Sequence, residues 1–311
     1  MRRYQQTKHA LGSTAYMTIV LADDASPDQL FEALWQHIAR FEQRFSRFLP
    51  DSELTAFNAA AGERQSVSPE FRELLVTART MSEKTEGLYN PFILPALQRA
   101  GYKGSWPKPE LADEKLNYEK RSEAAWSSIE IGDSWAAIPK NTALDFGGIG
   151  KGYLLDELSG LLQAQGVENY WLSLGGDILC AGLDEPGTPW KIAIQDALHE
   201  GVPIASATNG GKLLAVATSG VTKRKGVTKD GAWHHIMDPR TNRPAVTDVL
   251  TATVCGPSAT ETDVFAKCLA IVGSTRAGEF MKKIGQKDAL LQLDDGDGSV
   301  RLQKVGTVWS A

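Results

Sequence analysis

The spacing of apolar positions changes period several times along the chain, and each change marks an element. Residues 14–22 form an apolar run behind the small-residue corner Leu11-Gly12-Ser13, and they predict a strand. From residue 26 the period is helical. Leu30, Leu34, Ile38, Phe41 and Phe45 share one face, and Ser26-Pro27 offers a capping hydroxyl followed by a residue that needs no N–H. Residues 46–54 then break the pattern, leaving Phe48 in a loop before a short helical turn to Asn58. Ser68-Pro69 repeats the helix opening for a segment ending near Gly87. Residues 101–125, rich in Pro, Lys and Glu, read as a surface excursion, and 128–139 alternate about Gly132-Asp133 as a hairpin.

The second half continues with a helix over 153–162 and a buried strand over 170–174. Further strands are expected at 190–195, 213–217 and 247–255. A Ser258-capped helix through Ile271, a helix over 276–284 and a hairpin about 294–298 complete it. Hairpins mixed with helices, rather than strict strand–helix alternation, predict an α+β fold with a largely antiparallel sheet packed with helices. No repeat or low-complexity linker divides the 311 residues, so one domain of two closely packed halves is expected over 1–311.

The densest chemical signal is Ala143-Leu-Asp-Phe-Gly-Gly-Ile-Gly-Lys-Gly-Tyr153, a short apolar run entering four glycines and then a helix. Glycines allow close backbone approach, and a helix start presents free N–H groups to an anion. A phosphate-bearing ligand is the first expectation, although a tight turn without any ligand has the same pattern. Two nucleotide motifs are excluded. A P-loop requires Ser or Thr after Gly-Lys, where Gly152 stands, and the G-G-x-G-x-G spacing is not a dinucleotide fingerprint.

Charge narrows the partners. A net charge of −5 and a pI near 5.6 argue against a general nucleic-acid or anionic-membrane surface, and the basic run Lys223-Arg224-Lys225 reads as a solvated loop. Cys180, Cys255 and Cys268 lie in apolar sequence without metal-ligand spacing, as expected of small buried hydrophobes in a reducing compartment. The start of the chain shows neither an apolar signal core nor a lipobox cysteine, and no stretch approaches a membrane span. As written it reads as cytoplasmic, or as periplasmic if a leader was removed. The acidic turn at 294–298 lacks the later Glu of a calcium loop and reads as a solvated turn.

Taken in order, the corners of the chain resemble the ApbE family, the FAD:protein FMN transferases. The matching pieces are Leu11-Gly-Ser-Thr14, residues 46–58, Thr85-Glu-Gly-Leu-Tyr-Asn-Pro91, residues 145–156 and Leu174-Gly-Gly-Asp177. Thr218-Ser-Gly220, His235-Ile-Met-Asp-Pro-Arg-Thr241 and residues 262–273 continue the set. The resemblance implies an ApbE-like fold with the flavin site in a cleft between the two halves. It also implies a magnesium-dependent enzyme that moves the FMN half of FAD onto a threonine hydroxyl of an acceptor flavoprotein, releasing AMP.

By the same resemblance Leu11, Phe48, Leu88, Tyr89, Asn90 and Leu250 contact FAD, Asp145 and Lys151 supply polar contacts, and His235 is the base. Asp238 and Arg240 shape the loop beside it. Magnesium falls to the Gly148 carbonyl, to Asp263 and to a Thr four residues later, and that last position holds Lys267. A charged lysine has no lone pair to give a metal. Three arrangements are therefore open: the ammonium replaces the metal in a non-catalytic FAD binder, the metal binds with waters completing its shell, or Asp263 and Lys267 form a plain i,i+4 pair on a helix face. An FAD pyrophosphatase is a further alternative activity. Val221 and Asn242 also depart from the family, which has Asp or Asn and Gly at these positions, and both bear on the substrate side of the site.

Overall fold

The computed structural model describes residues 1–22, 26–102, 126–185, 187–228 and 231–310. The excursion expected at 101–125 therefore lies, from residue 103 onward, outside the described residues.

Eight strands form one antiparallel sheet in which chain order is also spatial order. They are β1 (Arg2–Ala10), β2 (Ser13–Leu21), β3 (Tyr170–Leu174), β4 (Asp177–Ala181), β5 (Leu214–Gly220), β6 (Val249–Gly256), β7 (Asp288–Asp294) and β8 (Val300–Val305). The α+β architecture with a largely antiparallel sheet is thus as the sequence indicates. β1 was not expected. Its sequence, RRYQQTKHA, is polar and mostly exposed because it is an edge strand paired on one side only, so no apolar alternation betrays it.

On one face of the sheet a core takes in α1 (Asp28–Phe45), α2 (Glu53–Ala59), α3 (Pro69–Lys84), α5 (Gly150–Ala164), α6 (Ala259–Val272) and α7 (Ser274–Ile284), while α4 (Leu94–Arg99) packs in a separate cluster with Tyr102, Trp233 and Met237. The stripe expected on the first of these is core at Leu34, Ile38, Phe41 and Phe45, whereas Leu30 is only half-buried and Phe31 beside it is buried instead. Its start differs from the expectation. The helix begins at Asp28 with no side-chain cap, and Ser26 Oγ hydrogen-bonds the Asp28 carboxylate instead. The other face of the sheet buries Val20, Cys180, Val216, Cys255 and Leu290 against a small three-stranded sheet made by Lys191–Gln195, Pro203–Thr208 and Trp309–Ser310. All three cysteines are free and buried, as expected. No described helix is long and apolar enough to cross a membrane.

Two helices fix the glycine stretch. Asp156 on α5 accepts hydrogen bonds from Ser258 Oγ (2.9 Å), the Ala259 N–H (2.8 Å), the Thr260 N–H (2.9 Å) and Thr260 Oγ1 (2.7 Å), capping α6. In return the Asp263 carboxylate of α6 accepts the Gly152 N–H at the start of α5 (3.3 Å). Each helix satisfies the orphan donors of the other. The contact is close enough to explain the glycine after Lys151. A Cβ at Gly152 would overlap the Ala259 carbonyl oxygen and stand 2.9 Å from Thr260 Cα, so the absent P-loop hydroxyl reflects helix packing.

Candidate functional site

A cavity of about 470 Å³ opens where the end of α1, the β1–β2 turn, the glycine stretch and the segment around 224–239 converge. That volume suits a small-molecule site. Leu11, Phe48, Leu88, Tyr89, Asn90, Asp145, Lys151, Gly148, His235 and Lys267 all line it, so most of the residues proposed from the resemblance meet in one place. Leu250 and Asp263 do not. Leu250 sits on β6, where its carbonyl accepts the Val221 N–H (3.0 Å), and Asp263 is buried behind the first turn of α5.

Part of the wall is apolar and aromatic. Leu11 and Gly12 form a two-residue hairpin turn between the paired residues Ala10 and Ser13, and both have positive φ, 54° and 65°. Such a turn favours Asn or Gly, and leucine there is a strained choice. The Leu11 N–H is pinned by Glu42 Oε1 at 3.1 Å, so the fold holds this side chain at the cavity mouth against its own preference. Phe48 is 43% exposed rather than a core aromatic. The Arg47 guanidinium lies 4.2 Å from the Phe48 ring centroid and 4.8 Å from that of Tyr102, while its Nε donates to Asp145 at 2.8 Å. Asp145 also accepts the Gly147 N–H (2.8 Å). One buried ion pair therefore ties the aromatic wall to the glycine stretch.

The Leu88–Asn90 corner follows Glu86 and Gly87, both with positive φ. Asn90 caps the next short helical turn through the Phe92 N–H (3.0 Å), and Thr85 Oγ1 accepts the Tyr89 N–H (3.1 Å). Tyr89 Oη is buried without a hydrogen-bond partner among the described residues. A buried orphan hydroxyl beside a cavity is what a polar ligand atom would satisfy. Burial, with the charges of Asp145 and Asp263, also raises the pKa of this phenol well above its ordinary value, so it stays a donor.

Another part of the wall is cationic. Lys151, at the start of α5, pairs with Asp177, the residue that follows the second glycine corner. Burial lowers the Lys151 pKa, Asp263 opposes this, and the charges of Arg224 and Lys267 add to it. Arg224 was not anticipated. It belongs to the run read as a solvated loop, but only Lys223 and Lys225 are exposed, while Arg224 faces the cavity. Tyr102 likewise belonged to the expected surface excursion and is instead buried at the site. Neither had a signal in the sequence, because a hairpin and a helix end bring them in from outside any motif.

His235 lies beside both Tyr102 and Arg224. Its Nδ1 lies 3.3 Å from the Arg224 carbonyl, and its ring meets Tyr102 edge-on, centroids 6.4 Å apart. Burial, then the Arg224 and Lys267 charges, push its pKa down to about 3, so the imidazole is neutral near pH 7. Asp238 accepts three side-chain contacts and the backbone N–H of Arg240, which closes the loop as expected. Asn242 has φ 56°. Asparagine tolerates this conformation, so the turn keeps the geometry that glycine would give it.

The magnesium set implied by the resemblance does not fit these residues. Lys267 brings its ammonium against Gly148, where a metal would need a free carbonyl, and Asp263 gives its carboxylate to Gly152. Among the described residues, no group of three His, Cys, Asp or Glu side chains is placed to hold a metal ion. The plain i,i+4 pair is not seen either, because Lys267 points into the cavity and Asp263 lies behind it.

An aromatic wall, an orphan hydroxyl, fixed cations and a neutral histidine meet in one cavity on an α+β scaffold. The sequence profile of the ApbE family matches residues 11–291, and the chain belongs to that family. It is similar to the FAD:protein FMN transferase of Vibrio cholerae, at 29% identity over 259 residues that cover 82% of this chain and 76% of that protein. The FAD:protein FMN transferase of Treponema pallidum is 26% identical over 312 residues, with coverage of 95% and 86%. The crystal structure of the ApbE protein of Thermotoga maritima matches the fold with a TM-score of 0.82 at 23% identity, covering 98% of this chain and 97% of that one.

Proposed function

We propose that this chain is an FAD:protein FMN transferase, with FAD as substrate in the cleft and a protein threonine as acceptor. The observation that carries the reading is the make-up of one cavity: aromatic and aliphatic walls, two cations without a carboxylate at ion-pair distance among the described residues, and the uncharged His235. The isoalloxazine lies against Phe48, Leu11 and the Leu88–Asn90 corner, with Tyr89 Oη donating to a polar atom of the ring. The pyrophosphate lies at the start of α5 beside Lys151, Lys267 and Arg224.

In the reaction the acceptor hydroxyl oxygen bonds to the phosphorus on the FMN side, and the bond from that phosphorus to the bridging oxygen breaks. AMP leaves with that oxygen, and the hydroxyl proton passes to His235. Fixed cations stabilise the charge that develops on the phosphoryl oxygens and on the leaving AMP. AMP release, followed with and without an acceptor flavoprotein of the Vibrio cholerae relative, tests the reading. Release that requires the acceptor supports transfer; equal release without it indicates FAD pyrophosphatase activity, and bound FAD that remains intact indicates a binder.

Two predictions follow from single residues. Leu11→Gly removes turn strain, so stability is expected to hold or to rise by about 1 kcal/mol while FAD affinity falls several-fold; thermal unfolding and FAD titration read the two effects separately. A loss of stability would mean that Leu11 serves the core and not the ligand.

The second concerns pH. A base acts only when deprotonated, and the low pKa of His235 in the free protein keeps it so. The acid limb of kcat/KM for FAD assigned to His235 is expected well below pH 6, with no fall between pH 8 and pH 6. The anionic ligand offsets Arg224 and Lys267, so the corresponding limb of kcat lies higher.

A further inference from the structure

Among the described residues four Lys and Arg side chains line the cavity, and the fold neutralises two of them: Arg47 by Asp145 and Lys151 by Asp177. Lys267 and Arg224 have no carboxylate at ion-pair distance among the described residues. Asp263, one helical turn before Lys267, is committed to the Gly152 N–H. The space for the ammonium is built in: a Cβ on Gly148 would overlap Lys267 Nζ and stand 2.8 Å from its Cε. The stem of Lys267 rises from α6, whose neighbouring residues Ala266 and Cys268 are fully buried, so the charge has a fixed origin and a short reach. Arg224 lines the same cavity, close enough that both charges act on His235.

We infer that Lys267 and Arg224 together receive the pyrophosphate of the dinucleotide, so that this chain binds FAD without a divalent cation. The inference rests on the reading that FAD occupies the cleft. Two fixed positive charges match the two negative charges of a dinucleotide pyrophosphate. An ammonium offers three donors to phosphate oxygens and a guanidinium offers a fork, so both phosphates find donors. A divalent cation at the same place would sit at contact distance from the ammonium, and this repulsion works against its binding. The departure from the family at Lys267 thus supplies by covalent attachment the charge that a metal would bring.

The test titrates FAD and riboflavin into the full chain by flavin fluorescence, in chelator and in excess magnesium. FAD affinity is expected to be the same in both conditions. Lys267→Met, of similar length and uncharged, and Arg224→Gln are each expected to weaken FAD binding by about 10- to 100-fold. Riboflavin carries no phosphate, so its affinity should stay near the wild-type value, which also reports that the variants are folded. FAD affinity that rises tenfold or more with magnesium would overturn the inference while leaving the cleft as a flavin site, as would variants that lose FAD and riboflavin alike. If neither ligand binds the wild type under any condition, the assignment of the cleft itself fails, and the inference fails with it.

Discussion

Replacing Arg47 by alanine is expected to destabilise the protein by about 3–5 kcal/mol, the cost of leaving a buried carboxylate without its partner. Arg47 and Asp145 are nearly enclosed, with side chains 7% and 10% exposed, and their contact is 2.8 Å. The loss spreads beyond the pair. Without the guanidinium, Phe48 and Tyr102 no longer share a stacking partner, and Asp145 loses the anchor that lets it hold the Gly147 N–H. Arg47→Lys keeps the charge and gives up the planar fork, so an intermediate loss is expected. Chemical denaturation of the three proteins reads this order directly. An alanine variant within 1 kcal/mol of wild type would show that water replaces the arginine and that the pair does not organise the site.

Gly152→Ala is the second large effect, about 3 kcal/mol at the upper end of overpacking costs. The colliding atoms are the backbone of Ala259 and Thr260, which a rotamer change cannot move. Relief requires α5 and α6 to separate, and that breaks the reciprocal caps made by Asp156 and Asp263. Because α5 carries Lys151 and α6 carries Lys267, the two cations move apart as well. A lower unfolding midpoint with an unchanged denaturant slope, together with weaker FAD binding, is the expected pair of results. Gly160→Ala is the control, since a Cβ there meets nothing within 4 Å.

What the sequence made legible was local chemistry. The stripe of α1, the Ser68 and Ser258 caps, the hairpin about Gly132 and the glycine stretch all carry their reasons within a few residues, and the structure places them as read. β1 was illegible because an edge strand needs no apolar face. The β5 strand ran further than expected, through Thr218-Ser-Gly220, because pairing with β6 outweighs the poor strand propensity of its last residues. In the site, residues assigned within the matching pieces were found, and those that tertiary contact recruits were not: Glu42 on α1, Tyr102 beyond α4 and Arg224 after β5, while Arg47, inside the piece 46–58, carried no assigned role. Asp263 matched a motif position, yet its carboxylate was needed at a helix start, a use that only the packing of α5 on α6 reveals.

Mass spectrometry of an acceptor flavoprotein after incubation with this chain and FAD tests the central claim most directly. The account predicts that the acceptor gains one FMN less water, on a threonine, and that this gain disappears with His235→Ala. An acceptor of unchanged mass, beside a chain that holds FAD intact, would contradict it.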